Sequence, residues 1–407
     1  MTTTAEPRAL LMQLLEPDSR ADPYRVYQRI REHGPILMPE SNLVVFSSFQ
    51  DCGDVLRHSS SASDRLKSTV AQREIARGAQ PRPFGQPGFL FLDPPDHTRL
   101  RRLAQQAFAP KRVKALEADV VTMVDDLLDR AVDAGSLDAV ADLAYPLPVA
   151  VICRMLGVPI ADEPLFSRAS ALLAKGLDPF ITFTGELPVD FAERMEAGHW
   201  LRAYIADLVE ERRSAPREDL ISALIAAEED GDQLTSDEIV ATCNLLLIAG
   251  HETTVNLIAN AILAMQRHPR HWAALAEDPD RAATIIEETL RHDPPVQLAG
   301  RTAGEDMTIG STSVPKGDTM MVLLAAGQRD PAAFDRPDDF DPDRDNLRHL
   351  AFGHGVHFCL GAPLARLEAR VALSAVTRRF PGATLAGEPV YKPNVTLRGM
   401  ASLPLDL

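Results

Sequence analysis

The chain has 407 residues, with 42 Lys and Arg against 58 Asp and Glu, 45% hydrophobic residues and four cysteines, an ordinary globular composition. Its net charge of −16 repels phosphate backbones and anionic lipid, whose binding depends on Lys and Arg, and argues against a nucleic-acid or membrane-surface role. No window offers 18 uncharged apolar residues for a membrane span, and Cys52, Cys153, Cys243 and Cys359 stand far apart without a CxxC pair, against a disulfide framework or a structural zinc site in a reducing compartment.

The start of the chain carries one base, Arg8, and an apolar run interrupted by Gln13, too little for a signal peptide; about the first 20 residues are expected to be a short flexible lead-in. There is no internal repeat or Gly/Ser linker, so residues 1–407 read as a single domain. Helical periodicity marks 22–33, 95–108, 111–134, 141–156, 188–213, 217–229, 236–267, 280–291 and 359–379. Strand signals are short, at 43–46, 308–309, 320–323 and near the C-terminus. The expected fold is mainly α with small β-sheets.

In the 236–267 segment, Thr235-Ser236-Asp237-Glu238 is a capping box, and the apolar residues after it fill every face through Met265. It is expected to be a buried rod. Its middle, Ala249-Gly250-His251-Glu252-Thr253-Thr254, places a carboxylate and two hydroxyls in that core; Thr side chains bonding back to carbonyls would bend the helix, but a buried carboxylate is costly unless used. Further on, Phe352-Gly353-His354-Gly355-Val356-His357-Phe358-Cys359-Leu360-Gly361 puts a cysteine after a Gly-rich loop and before a helix opened by Ala362-Pro363. At a helix N-terminus the dipole and free N–H groups are expected to lower the pKa of Cys359. A buried capping cysteine is the plain alternative, and a zinc site with His354, His357 and Cys359 is another, although no second Cys/His cluster supplies a fourth ligand. The glycines suit the approach of a flat macrocycle better.

This ten-residue pattern resembles the haem-binding signature of the cytochrome P450 family. Ala249 to Thr254 resembles the family's oxygen-activation motif, Glu288-Thr289-Leu290-Arg291 its Glu-x-x-Arg motif, and residues 334–344 the segment that locks that pair. Asp93-Pro94-Pro95-Asp96-His97 and His357-Phe358-Cys359 are similar to the soluble actinobacterial branch, with a mycobacterial cast. The resemblance covers essentially the whole chain and implies a P450 fold with haem b, iron protoporphyrin IX, between the long central helix and the Cys-bearing helix.

The resemblance implies that Cys359 is the axial thiolate and metal ligand, with Phe352, Gly353 and Gly361 shaping the cofactor's seat. His97 and Arg101, one helical turn apart, with Arg301 and His357, would clamp the two propionates. Gly250 and Thr253 would open the long helix beside the oxygen site, and Glu252 would relay protons to it. Glu288 and Arg291 are assigned to fold integrity. The substrate pocket is expected to use Leu246, Ala249, Gly250, Val296, Gln297 and Ala299, with loop 84–92 and a lid at 178–188; such an apolar lining fits fatty acids, terpenoids, steroids or polyketides.

His251-Glu252-Thr253-Thr254-Val255 lacks the second His of a zinc-protease helix, and the chain has no P-loop or dinucleotide fingerprint of its own. Electrons are therefore expected from another protein, which the resemblance implies is a ferredoxin with its ferredoxin reductase. Between Asp96 and Glu117 the chain holds Arg99, Arg101, Arg102, Lys111, Arg112 and Lys114 without an acid; Arg99 and Arg102 are expected to face a free side that, with Arg366 or Arg370, steers an acidic ferredoxin. The expectation is a cytoplasmic, monomeric monooxygenase inserting one atom of O2 into an apolar small molecule by hydroxylation or epoxidation. The alternatives are a peroxide-driven peroxygenase, which typically lacks the acid–alcohol pair that Glu252 and Thr253 supply, and a non-enzymatic haem-thiolate sensor, which would normally carry an output domain.

Overall fold

The capping box at Thr235 starts the longest helix, Ser236–Arg267. The Thr235 hydroxyl accepts from the Glu238 N–H at 3.2 Å and Glu238 Oε2 accepts from the Thr235 N–H at 2.9 Å, which satisfies two of the donors that a helix start leaves open. At 1.5 Å per residue this helix is about 48 Å long. In this computed structural model, which describes residues 5–82, 84–226, 228–229 and 232–407, most of the helix is buried in an apolar core that runs from Phe89 to Leu405. By length and hydropathy it could cross a membrane, as could the stretch 139–156, but both are mostly enclosed by the protein; their apolarity belongs to a core.

Pro146–Leu156 and Phe191–Ser214 pack on the long helix, as do Ala282–His292 and the Cys-bearing helix Ala362–Arg379, which also lies on Glu117–Ala134 and Pro269–Glu277. A five-stranded sheet, in the order Ile36–Met38, Leu43–Phe46, Thr319–Val322, Ala299–Ala303, Ser61–Ala62, covers another flank. Among its described strands, Leu43–Phe46 and Thr319–Val322 pair in parallel and the other neighbours antiparallel. The mainly α architecture with small sheets is as the periodicity predicts.

Several boundaries differ for identifiable reasons. Residues 111–134 form two helices, Pro110–Ala115 and Glu117–Ala134. The 141–156 stretch is a π turn, Ala139–Ala144, followed by Pro146–Leu156: the Tyr145 N–H reaches back five residues to the Val140 carbonyl at 2.8 Å, and Pro146, with no N–H, begins the next helix. The 217–229 segment holds a helix only over Leu220–Ala226. The helix expected over 359–379 begins at Ala362, so Cys359 stands in the loop three residues before the helix named for it.

The N-terminal lead-in is not a loose tail over its described part. Residues 5–20 hold the helix Ala5–Gln13 and the turn Pro17–Arg20, and Leu10, Leu11 and Leu14 are buried with Tyr27, Ile30 and Phe183. Leu10 and Leu11 of the helix, with Leu14 just past its end, give this segment enough apolar area to dock. The expected 178–188 lid likewise contains a helix, Phe180–Thr184, whose Phe183 is buried against that N-terminal helix.

Candidate active site

The Cys359 loop is closed by its own backbone. Gly353 and Gly355 have φ of 70° and 68°, a region that side-chain-bearing residues avoid, and a Cβ at Gly355 would stand 3.0 Å from the Leu56 carbonyl. The Cys359 N–H donates to the Phe352 carbonyl at 2.8 Å, folding the loop so that the thiol meets the N–H groups of Gly361 and Ala362 where the helix begins. Arg366 lies over the Phe352 ring at 4.6 Å and is itself held by Glu287 at 2.6 Å. The expectation of a lowered thiol pKa does not hold: burial pushes Cys359 up, outweighing the two N–H groups, Arg101 and Arg366, which act the other way. A helix N-terminus alone does not make this cysteine a thiolate; bonding to a metal ion does so outright. Cys52, Cys153 and Cys243 are buried thiols, Cys153 and Cys243 pushed up to about 12, the inert core cysteines that their spacing suggests.

Four of the predicted cofactor residues come together beside this loop. The His97 and His357 rings are 4.1 Å apart. Both ring nitrogens of His97 and Nε2 of His357 are buried without a hydrogen-bond partner, which is costly unless a ligand satisfies them. Arg101 donates to the Phe358 carbonyl and feels the Cys359 charge, and among the described residues the Arg301 guanidinium donates to the Gly300 carbonyl at 2.8 Å. Burial and the surrounding positive groups push His97 down and His357 down to about 3, so the imidazoles are neutral donors beside two guanidiniums. Orphaned donors and two cations, with no carboxylate among them but Asp93, which pairs with Lys67 at 2.8 Å, suit a ligand that brings two carboxylates. Haem fits this seat.

On the long helix the accessible face carries Leu245, Ala249 and Thr253, at i, i+4 and i+8. Leu246, expected on the pocket wall, is 6% exposed and packs into the main core; the four-residue spacing from Ala249 and Thr253 already pointed to Leu245. The helix is continuous through 249–253, so Gly250 does not open it. Its lack of a side chain serves packing: a Cβ there would sit 3.1 Å from Ile152. Thr253 bonds back to the Ala249 carbonyl at 2.8 Å. Glu252 turns to the C-terminal hairpin, where Lys392 Nζ stands 2.7 Å from Oε2 and 3.3 Å from Asn256 Oδ1. Lys392 lies 140 residues from its partner, and no local pattern marks it.

Loop 84–92 covers this face. Gly88 rests on Leu245, where a Cβ would approach to 2.7 Å, and Phe84 packs on Gly198 of the Phe191–Ser214 helix. Val296 and Ala299 are half-buried in the strand region opposite, Val296 pairing with Leu397. Gln297 is not on the pocket wall: it is 1% exposed and its amide donates to the Pro294 carbonyl at 2.7 Å, which ties down the turn before the strand.

Glu288 and Arg291 form a bidentate pair at 2.7 and 2.8 Å with no exposure. Arg291 also donates to the carbonyls of Gln328, Pro337 and Asp339, and Glu288 accepts from the Asp341 N–H and Arg344. Every donor and acceptor is used, the condition under which a buried ion pair is tolerable. The network fastens the Ala282–His292 helix to residues 328–344, the segment that leads toward Cys359.

A thiol on a glycine-shaped loop, an orphaned two-cation seat and a long helix with a threonine on its accessible face define a haem-thiolate oxygenase. The cytochrome P450 family model matches residues 5–395, and the chain belongs to that family: it is a cytochrome P450 monooxygenase, an oxidoreductase with haem b as cofactor. It is 39% identical to the cytochrome P450 monooxygenase PikC of Streptomyces venezuelae over 99% of this chain and 95% of that protein. It is 36% identical to the vitamin D(3) 25-hydroxylase of Pseudonocardia autotrophica over 95% and 94%. The crystal structures of Mycobacterium smegmatis CYP164A2, ligand-free and with econazole bound, are similar at 63% identity and a TM-score of 0.94, covering 98% of this chain and 100% of that one, in line with the mycobacterial cast of the sequence.

Proposed function

We propose that the chain works as a single-domain, monomeric, cytoplasmic monooxygenase that takes electrons from a ferredoxin system and hydroxylates or epoxidises an apolar small molecule. When bound, haem would supply the O2-activating chemistry by which one oxygen atom enters the substrate and the other leaves as water. Cys359 would hold the iron, Phe352, Gly353 and Gly361 would shape the seat, and His97, Arg101, Arg301 and His357 would take the propionates. Thr253 offers its hydroxyl at the oxygen site, and Glu252, released from Lys392, carries protons toward it. Leu245, Ala249 and loop 84–92 exclude water and orient the substrate.

The observation that carries the reading is the His97–His357 pair, 4.1 Å apart with three unpartnered ring nitrogens, set between Arg101 and Arg301 beside Cys359. An apolar substrate is supported by the lining and by relatives whose names and ligands are a vitamin D(3) hydroxylase and an econazole complex. The free thiols of Cys52, Cys153 and Cys243 support a reducing compartment.

The test is the carbon monoxide difference spectrum of the reduced holoprotein. It is expected to show the thiolate-type Soret band, to lose it in Cys359→Ser, and to keep it when Cys52, Cys153 or Cys243 becomes Ala. A thiolate-type band in Cys359→Ser overturns the ligand assignment.

A further inference from the structure

The seat beside Cys359 has a neighbour that the sequence motifs do not mark. Strand Ser61–Ala62 pairs with Ala299–Ala303, with Ala62 opposite Thr302. The chain then turns through Arg65–Lys67, where Asp64 Oδ1 accepts from the Leu66 N–H at 2.9 Å. This brings Arg65 out of the sheet alongside Arg301. The charge of Arg65 acts on Arg301 and lowers its pKa.

Arg65 has no carboxylate partner among the described residues, whereas Lys67, two residues on, pairs with Asp93. Its guanidinium lies 4.8 Å from the centroid of the Phe91 ring, in the pocket loop. Arg65 is solvent-accessible, and desolvation by the surrounding protein lowers its pKa. Two neighbouring guanidiniums repel each other unless an anion lies between them; Arg301 feels Asp93, which is already paired with Lys67 at 2.8 Å, and Arg65 has no carboxylate partner among the described residues. The charges to be met there are two carboxylates and the Cys359 thiolate. Arg101 is already turned to Phe358 and the cysteine, and the two imidazoles are neutral donors. Arg101 therefore serves the clamp from the cysteine side, and on the Arg301 side Arg65 adds a second cation.

We propose that Arg65 is a cofactor-binding residue, its guanidinium taking a haem propionate together with Arg301 while its contact with Phe91 pins the pocket loop to the same edge. This rests on the reading of His97, Arg101, Arg301 and His357 as the propionate clamp. Charge-assisted hydrogen bonds from a planar fork to a carboxylate are among the stronger polar contacts, and Lys reproduces the charge without the fork.

The experiment compares wild type, Arg65→Ala, Arg65→Lys and Arg301→Ala as holoproteins, following haem transfer to excess apomyoglobin and measuring the ferric/ferrous potential. Arg65→Ala is expected to lose haem about tenfold faster, the scale of one charge-assisted contact. Its potential falls, because a propionate stripped of a cation favours the ferric state. Arg65→Lys lies between the two, and Arg301→Ala loses haem faster as well. Wild-type haem loss and potential in Arg65→Ala, with faster loss in Arg301→Ala, overturn the role of Arg65 and leave the clamp standing. Wild-type behaviour in both overturns the clamp itself.

Discussion

Thr253 and Glu252 are adjacent in sequence but are held by different parts of the protein. The Thr253 hydroxyl satisfies the Ala249 carbonyl of its own helix, a bond worth about 1 kcal/mol or less and easily exchanged for another acceptor. Glu252 is held across the chain by Lys392. Cys359, His357 and Thr253 were legible because each belongs to a short motif whose residue types are required at fixed spacing; Lys392 was not, because its meaning comes from a fold that joins residues 140 positions apart. Leu246 and Gln297 were misplaced because proximity to a motif does not say which face a side chain takes. Thr253→Ala is expected to keep haem content and substrate-induced spectral shifts while product formed per electron pair drops several-fold and hydrogen peroxide rises. Coupling measured as product per NADPH consumed decides it: an unchanged ratio leaves Thr253 as a back-bonding residue only.

The long central helix and the Cys-bearing helix show how far patterns carry at the next scale. The first was readable end to end, since a capping box and an apolar surface on all faces fix both its start and its burial. The second conceals a group that no pattern revealed. Glu368 of Ala362–Arg379 is fully enclosed, its Oε2 has no partner, and burial pushes its pKa up to about 8. In the unfolded chain this carboxyl ionises near its ordinary 4.5, so between these values the folded state binds the extra proton. Stability is therefore full below about pH 4.5 as far as this group is concerned, and declines as pH rises toward 8. Glu368→Gln keeps the shape and removes the titration. Urea denaturation of the two holoproteins is expected to show the variant gaining on wild type from pH 5 to 8, by on the order of a few kcal/mol. Parallel pH profiles would show that Glu368 meets a proton donor or cation that keeps it ionised in the folded state.

Across the whole molecule, the net charge of −16 makes any basic surface a local exception, and the structure narrows the one anticipated to its Lys111–Arg112 end. Arg99 is not on a free side: it pairs with Glu238, the carboxylate of the capping box, which fastens the start of the long helix, and Arg102 is engaged as well. Arg366 pairs with Glu287 and Arg370 with Glu117, so much of the positive charge in the sequence is answered within the chain. The helix Pro110–Ala115 differs. It packs on the Cys-bearing helix, and Lys111 and Arg112 are exposed with no carboxylate partner among the described residues. The Cys359 loop itself exposes Val356 and Phe358, at 59% and 43%. Apolar side chains over the cofactor seat with cations to one side match the usual anatomy of a transient interface, an apolar centre with a polar rim. Rim charges act on association rate and are screened beyond about 8 Å at physiological ionic strength. Reversing both, Lys111→Glu with Arg112→Glu, is expected to slow ferredoxin-driven reduction about tenfold or more at low salt, with the difference closing as salt rises. Dithionite reduction and substrate-induced spectral shifts stay at wild-type values, since neither passes through this surface. Stopped-flow reduction across a salt series is the measurement, and equal rates for the two proteins at every ionic strength would move the electron-donor site away from this helix.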